Sequence, residues 1–309
     1  MNGGLASGRP VSSERVLTRS DVVHRSAVAL VRAVRPKQWV KNVLVFAAPG
    51  AAGILFGPDV LERTGLAFLV FSMVASAGYL VNDVMDARTD RTHETKRHRP
   101  VASRELSPRA AVIAAAVLFI VAVVAAAPLG SPFVLSILAY TGITCAYSLG
   151  LKRVAVVDLM LVAACYVVRA IAGAAVVAIE PSMWFLALVS ASAMAVVAGR
   201  RIADVRGGAV VAGRSAPYSL EYLRGIWILG LGIALTTYCL WAVAVPHDSF
   251  GIAWSQVSIA PFALALLRYA YVLEGGRAGE PEDVFASDRV IQVAVVAWCV
   301  VYGLGVYLR

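Results

Sequence analysis

Charge is scarce in this chain. Only 15% of its 309 residues are Asp, Glu, Lys or Arg, whereas 60% are hydrophobic, and the mean hydropathy is +0.76. A soluble domain carries about a quarter of its residues as charges, so a string of soluble domains is excluded. The apolar residues recur in blocks of about 18 to 25 along nearly the whole chain, which excludes a single anchor as well. Cysteine is equally sparse. Cys145, Cys165, Cys239 and Cys299 stand singly inside apolar blocks, without the paired spacing of a zinc site or disulfide framework, and read as small buried residues. Residues 1–31 lack the dense apolar core of a signal peptide; with Gly, Ser and Arg dispersed through them they are expected to form a flexible tail, followed by one transmembrane domain over 32–309.

What is present is a series of apolar blocks that fits an all-α integral membrane protein with about nine transmembrane helices. The first block runs from Val40 to Phe56 and the second from Gly65 to Val81. Ala110–Leu151 carries no charge and is interrupted by Pro128, Gly130 and Pro132, the pattern of two spans joined by a tight turn. Further spans are expected over 155–179, 182–199, 225–245, 252–272 and 290–308. With nine spans, the tail to Lys41, segment 82–109, Lys152 and Arg153, segment 200–224 and segment 273–289 share one side and hold nearly all of the 28 basic residues. The opposite side has Arg63 and Arg309. The positive-inside rule therefore assigns the basic side to the cytoplasm and the chain to the inner membrane. Topology and attraction to anionic lipid account for the net charge of +9, so nucleic acid is not needed as a partner.

The second block ends in Asn82-Asp83-Val84-Met85-Asp86-Ala87-Arg88-Thr89-Asp90. Acids at i, i+3 and i+7 of a helix project within about 60° of one another. Such like charges repel unless a cation sits between them, and oxygen-only ligands suit Mg²⁺, which completes its shell with substrate phosphate oxygens. Asp83, Asp86 and Asp90 are thus candidate metal ligands and catalytic residues, and Asn82 adds an amide beside them. The alternative is a solvated acidic helix end offset by Arg88, Arg91 and Lys96.

The N-D-x-x-D-x-x-x-D pattern at these residues resembles the first motif of the UbiA superfamily of polytopic, magnesium-dependent transferases. The resemblance implies a nine-helix bundle with a cytoplasmic active-site chamber, where aspartates hold a diphosphate through magnesium ions.

Flanking cations narrow the substrate, because each further phosphate needs further positive charge. Arg35-Pro36-Lys37-Gln38-Trp39-Val40-Lys41-Asn42 precedes the first span, and Lys96-Arg97-His98-Arg99-Pro100 follows the acids. Lys37 and Lys41, one α-helical turn apart, reach a headgroup phosphate or snorkel beside Trp39; Lys96, Arg97 and Arg99 bind phosphate or serve topology. These stretches, with Tyr79–Val84, Arg169–Gly173, Gly199-Arg200-Arg201 and Gly279–Asp283, resemble the decaprenyl-phosphate phosphoribosyltransferase branch of that superfamily. The resemblance implies transfer of the 5-phosphoribosyl group of phosphoribosyl diphosphate to a polyprenyl phosphate.

Other polar groups lie near the same membrane face. Tyr147, Lys152 and Arg153 stand where the fourth span meets the fifth and can close over phosphate. Asp158 and Arg169, eleven residues apart in one span, point within about 20° of each other and are expected to line the chamber, unless Asp158 pairs with Lys152 or Arg153 and Arg169 meets buried carbonyls. After the sixth span Arg200 and Arg201 offer direct phosphate binding with Asp204 as the remaining acid. Tyr218 and Tyr222 are ligands or interfacial anchors. Two rivals stand beside this reading: a prenyltransferase using a prenyl diphosphate and an aromatic acceptor, and a transporter. Whether the chain forms a homo-oligomer is open.

Overall fold

A computed structural model describes residues 19–94, 96–206, 218–244, 252–276 and 281–307. Among the described residues all regular structure is helical: α1 (Arg19–Ala33), a 3₁₀ segment (Pro36–Phe46), α2 (Ala47–Ala51), α3 (Pro58–Met85), α4 (Ala87–Asp90), α5 (Pro108–Ala126), α6 (Ser131–Leu149), α7 (Val157–Val176), α8 (Met183–Arg206), α9 (Leu220–Ala244), α10 (Trp254–Val257), α11 (Ile259–Glu274), α12 (Pro281–Ser287) and α13 (Arg289–Tyr307), with three-residue 3₁₀ turns between some of them. Eight of these helices, counting Trp254–Glu274 as one, are long and apolar enough to cross a membrane.

Helix starts follow local chemistry. Pro58 opens α3 behind Gly57, and Pro108 opens α5 behind Ser107, whose hydroxyl accepts the Ala110 N–H at 3.1 Å. The uncharged 110–151 stretch divides where expected, at Gly130, which takes φ 100° between α5 and α6. Several helices outrun their apolar blocks. α3 continues to Met85 and α8 to Arg206, so Asp83, Arg200, Arg201 and Asp204 ride on helices, not on loops.

The first expected span differs most. Val40–Phe56 is not one α-helix; its start lies in the 3₁₀ segment, followed by the short α2. A 3₁₀ helix has three residues per turn, so residues three apart share a face. Trp39, Asn42, Val45 and Ala48 obey that spacing and turn inward, whereas Val40 and Val43 are half exposed. A 3₁₀ helix also rises about 2.0 Å per residue against 1.5 Å, so this segment and α2 together have the contour length of a membrane core, about 30 Å, with too few residues for an α-helical span. Over the expected flexible tail, Arg19–Ala33 is helix α1, and its Ala29 and Ala33 are fully buried against Leu80, Val101 and Ala111; residues 1–18 lie outside the described part.

The inward face of the 3₁₀ segment packs on α3 and α7 in a core of Val45, Val70, Phe71, Phe133, Ile137, Tyr140 and Val176, with Phe71 edge-on to both Phe133 and Tyr140. Gly173 makes this crossing possible: a Cβ there would stand 1.9 Å from the Val45 carbonyl oxygen. At the other end of the bundle Tyr302 donates to the Ala51 carbonyl at 2.9 Å, joining α13 to α2.

Candidate functional site

The acids of the ladder emerge at the end of α3 and on α4. Asp83 is 1% exposed and Asp90 4%, whereas the Asp86 side chain is 35% exposed. Helical geometry explains the split, since i and i+7 differ by about 20° and i and i+3 by about 60°. Asp83 and Asp90 accordingly share one cation: Arg99 Nη1 lies 2.8 Å from Asp90 Oδ2 and 3.5 Å from Asp83 Oδ1. Asp86 is offset to one side and takes Lys152 Nζ at 2.7 Å and 3.1 Å. Asn82 Oδ1 accepts the hydroxyl of Ser148 at 2.5 Å, which fixes α6 against α3.

Arg35 completes this group. Its guanidinium is 2.5 Å from Asp83 Oδ1 and lies 5.1 Å over the Tyr79 ring. It reaches there because its backbone turns left-handed (φ 53°, ψ 64°) just before Pro36, a conformation rare for a residue with a Cβ.

A second group stands on α7 and α8. Asp158, 2% exposed, is held by Arg201 Nη2 at 2.9 Å and by the Tyr218 hydroxyl, which donates to Oδ1. Tyr218 also accepts the Val156 N–H at 2.6 Å. Its phenol is pushed up to about 12, first by burial and then by the bond to Asp158. Arg201 reaches Asp204 at 3.5 Å and is hydrogen-bonded with Tyr147. Lys96 connects the two groups: burial, then the charge of Arg99, holds its ammonium below the usual lysine range, opposed by Asp90, Asp204 and Asp86.

The structure thus brings together Asn82, Asp83, Asp86, Asp90, Lys96, Arg99, Tyr147, Lys152, Asp158, Arg201 and Asp204. Other expected site residues are placed as follows. Lys37 and Lys41 do not share a face, because four residues on a 3₁₀ helix turn about 120° past a full turn; Lys37 is exposed in line with Val40 and Val43, and Lys41 donates to Gln38. Arg97 is exposed beside His98, and Arg153 is exposed; Arg200 is half-buried next to Arg201. Arg169 is buried deeper: Nε donates to Asn42 Oδ1 at 2.7 Å, Nη1 to the Cys165 carbonyl at 2.7 Å and Nη2 to the Tyr140 hydroxyl at 2.9 Å. It ties the 3₁₀ segment to α6 and α7, and Asn42 in turn donates to Ser72 of α3 at 3.1 Å. Of Gly279–Asp283, residues 279 and 280 lie outside the described part, and Asp283 falls in α12.

Arg35 was absent from the expected site. Its only sequence signal is a position two residues before Lys37 in a basic stretch; which way it points depends on its backbone twist.

A divalent ion can be tested against these residues. Asp83 Oδ2 is buried and has no hydrogen-bond partner, and its neighbours Asn82, Asp86 and Asp90 offer only hard oxygen ligands, which fit Mg²⁺. Among the described residues no three acid, His or Cys side chains converge on one point. The carboxylates are divided among Arg35, Arg99 and Lys152 instead.

A chain whose described residues are all-helical, with several helices fit to cross a membrane and a group of acids and cations at one end of their bundle, is a multi-pass membrane protein. The chain belongs to the UbiA prenyltransferase family, whose sequence model matches residues 43–302. It is 40% identical over 302 residues to a decaprenyl-phosphate phosphoribosyltransferase of Mycobacterium tuberculosis, covering 95% of this chain and 99% of that protein. A protein of the same name from Mycolicibacterium smegmatis is 36% identical over 90% of this chain and 92% of its own. The fold is similar to that of a UbiA homolog from Archaeoglobus fulgidus bound to GPP and Mg²⁺, with TM-score 0.66 and 19% identity over 90% of this chain and 99% of that one.

Proposed function

We propose that the protein transfers the 5-phosphoribosyl group of phosphoribosyl diphosphate to decaprenyl or another polyprenyl phosphate, releasing diphosphate, with the polar end of the bundle facing the cytoplasm. The observation that carries this reading is 40% identity to a decaprenyl-phosphate phosphoribosyltransferase over nearly the full length of both chains. The charge of the site agrees with it. Arg35, Lys96, Arg99, Lys152 and Arg201 surround the acids, and a donor with a diphosphate and a separate 5-phosphate, meeting a lipid phosphate, needs more positive charge than a prenyl diphosphate alone.

Asp83, Asp86 and Asp90, with Asn82, would hold Mg²⁺. The bound ion would supply positive charge that steadies the departing diphosphate. Lys152 and Arg99, released from their carboxylates, and Arg201, held by Asp158, align and neutralise two anionic substrates that otherwise repel. The lipid phosphate oxygen that attacks the anomeric carbon is already an anion, so the chain needs no general base. A single displacement of this kind inverts the anomeric centre.

The test is mass spectrometry of lipid products after the membrane-embedded protein is incubated with labelled phosphoribosyl diphosphate and decaprenyl phosphate, with Mg²⁺ or with EDTA. Labelled phosphoribosyl lipid that vanishes with EDTA is expected. Product only from a prenyl diphosphate and an aromatic acid would overturn the reading in favour of a prenyltransferase.

A further inference from the structure

Val156, the residue before α7, has φ 69° and ψ −46°. Positive φ is a true outlier for a β-branched residue, and this pair of angles lies near the rare, strained form of the γ-turn. Such a conformation persists only where its surroundings hold it. The chain between Gly150 and Val156 carries Lys152, the partner of Asp86, and two residues beyond Val156 stands Asp158, the partner of Arg201.

One side chain from a distant part of the sequence holds both ends of this arrangement. Tyr218, just ahead of α9 and 8% exposed, accepts the Val156 N–H at 2.6 Å and donates its own proton to Asp158 Oδ1. Its ring stacks on Tyr222, with centroids 5.7 Å apart and planes 3° from parallel, so the hydroxyl has a fixed direction. A phenol that ionises only near 12 keeps the donated proton throughout the working range.

We infer that Tyr218 is a positioning residue: it pins the strained Val156 turn and Asp158 together, and so fixes Lys152 and Arg201 for binding substrate phosphate. This rests on the phosphate-binding role proposed above. Tyr218 itself does not touch substrate. Its hydroxyl is spent on Val156 and Asp158, and its effect passes through the turn.

The strain supplies a test that a ligand or a merely packed tyrosine would not meet. Glycine adopts positive φ without steric cost, so a Val156→Gly turn depends less on the pin. The full-length protein in lipid nanodiscs is prepared as wild type, Tyr218→Phe, Val156→Gly and the double variant. Phosphoribosyl diphosphate affinity and turnover are measured, together with hydrogen exchange over 150–158. Tyr218→Phe is expected to raise donor KM about tenfold or more, the scale set by the two hydrogen bonds its hydroxyl makes, with kcat within about threefold. Exchange over the turn should quicken by at least as much. In the Val156→Gly background the same substitution should cost under about threefold in KM, a coupling that the double-mutant cycle isolates. An equal penalty in both backgrounds, or unchanged exchange in Tyr218→Phe, overturns the inference. Wild-type protein that binds and turns over no phosphoribosyl diphosphate overturns the proposed reaction instead, while the exchange data still judge the pin.

Discussion

Replacing Gly173 by Ala tests how the 3₁₀ segment is seated. The added Cβ would lie 1.9 Å from the Val45 carbonyl oxygen, 2.7 Å from its carbon and 3.1 Å from Val45 Cα. These are backbone atoms, so no rotamer change relieves the clash. Restoring ordinary contact requires the segment to retreat from α7 by about 1.5 Å. The Arg169–Asn42 bond at 2.7 Å would then stretch past hydrogen-bonding range, and the Asn42–Ser72 bond at 3.1 Å would be strained with it. Leaving the partners of both bonds unmet costs roughly 1–3 kcal/mol each, for a total of about 2–6 kcal/mol. On the usual conversion for a domain of a few hundred residues, this lowers Tm by roughly 5–15 °C. The measurement is thermal unfolding of purified protein in detergent, followed by tryptophan fluorescence. Gly142→Ala in α6 serves as the control, because nothing lies within 4 Å of its added Cβ, and helix propensity makes that change neutral or stabilising by about 0.5–1 kcal/mol. Donor affinity should weaken in Gly173→Ala as well, since Arg35 moves with the segment. If Gly173→Ala melts with wild type and the control, the close crossing of α7 over Val45 is refuted.

Two further outcomes follow from the same geometry. Arg169→Lys replaces a three-way guanidinium by a single ammonium that cannot reach Asn42, the Cys165 carbonyl and Tyr140 at once, so denaturant unfolding should show a loss of about 2–5 kcal/mol; wild-type stability coupled with a raised donor KM would make Arg169 a substrate ligand instead. Asp288 caps α13 through the N–H groups of Val290 and Ile291, both at 3.0 Å, and pairs with Arg268. The bond from Arg268 holds its carboxyl below the usual range. A depressed folded value means that the contribution is present above the unfolded pKa of about 3.9 and is lost as pH falls through the folded one. The melting curves of wild type and Asp288→Asn should therefore differ at neutral pH and converge in strong acid; a constant gap down to the lowest pH would reject the assignment.

Most of the bundle is legible in the residues, because in hydrocarbon a backbone must satisfy its own hydrogen bonds. Uncharged blocks of the right length then have few choices, and Pro128, Gly130 and Pro132 divide α5 from α6 where they should. The spacing of Asp83, Asp86 and Asp90 likewise fixes their directions on a helix, including the offset that sets Asp86 apart from Asp83 and Asp90. The first span does not follow the α-helical pattern because Trp39, Asn42 and Val45 repeat every three residues within an apolar run, and that period shows its meaning only where Trp39 donates to Ser76 at 3.0 Å, Asn42 donates to Ser72 and Gly173 faces Val45. Lys37 and Lys41 lost their common face for the same reason.

The chain's own composition and spacing decided that it lies in a membrane, where most of its helices run and which acids share a face, since these depend on hydrophobic length and helical period alone. Tertiary structure decided which cation meets which acid. Arg35 reaches Asp83 across 48 residues, Lys152 reaches Asp86 across 66 and Tyr218 reaches Asp158 across 60, and no local period encodes pairings over such distances. Packing also chose the partners of Arg169, whose guanidinium meets Asn42, the Cys165 carbonyl and Tyr140.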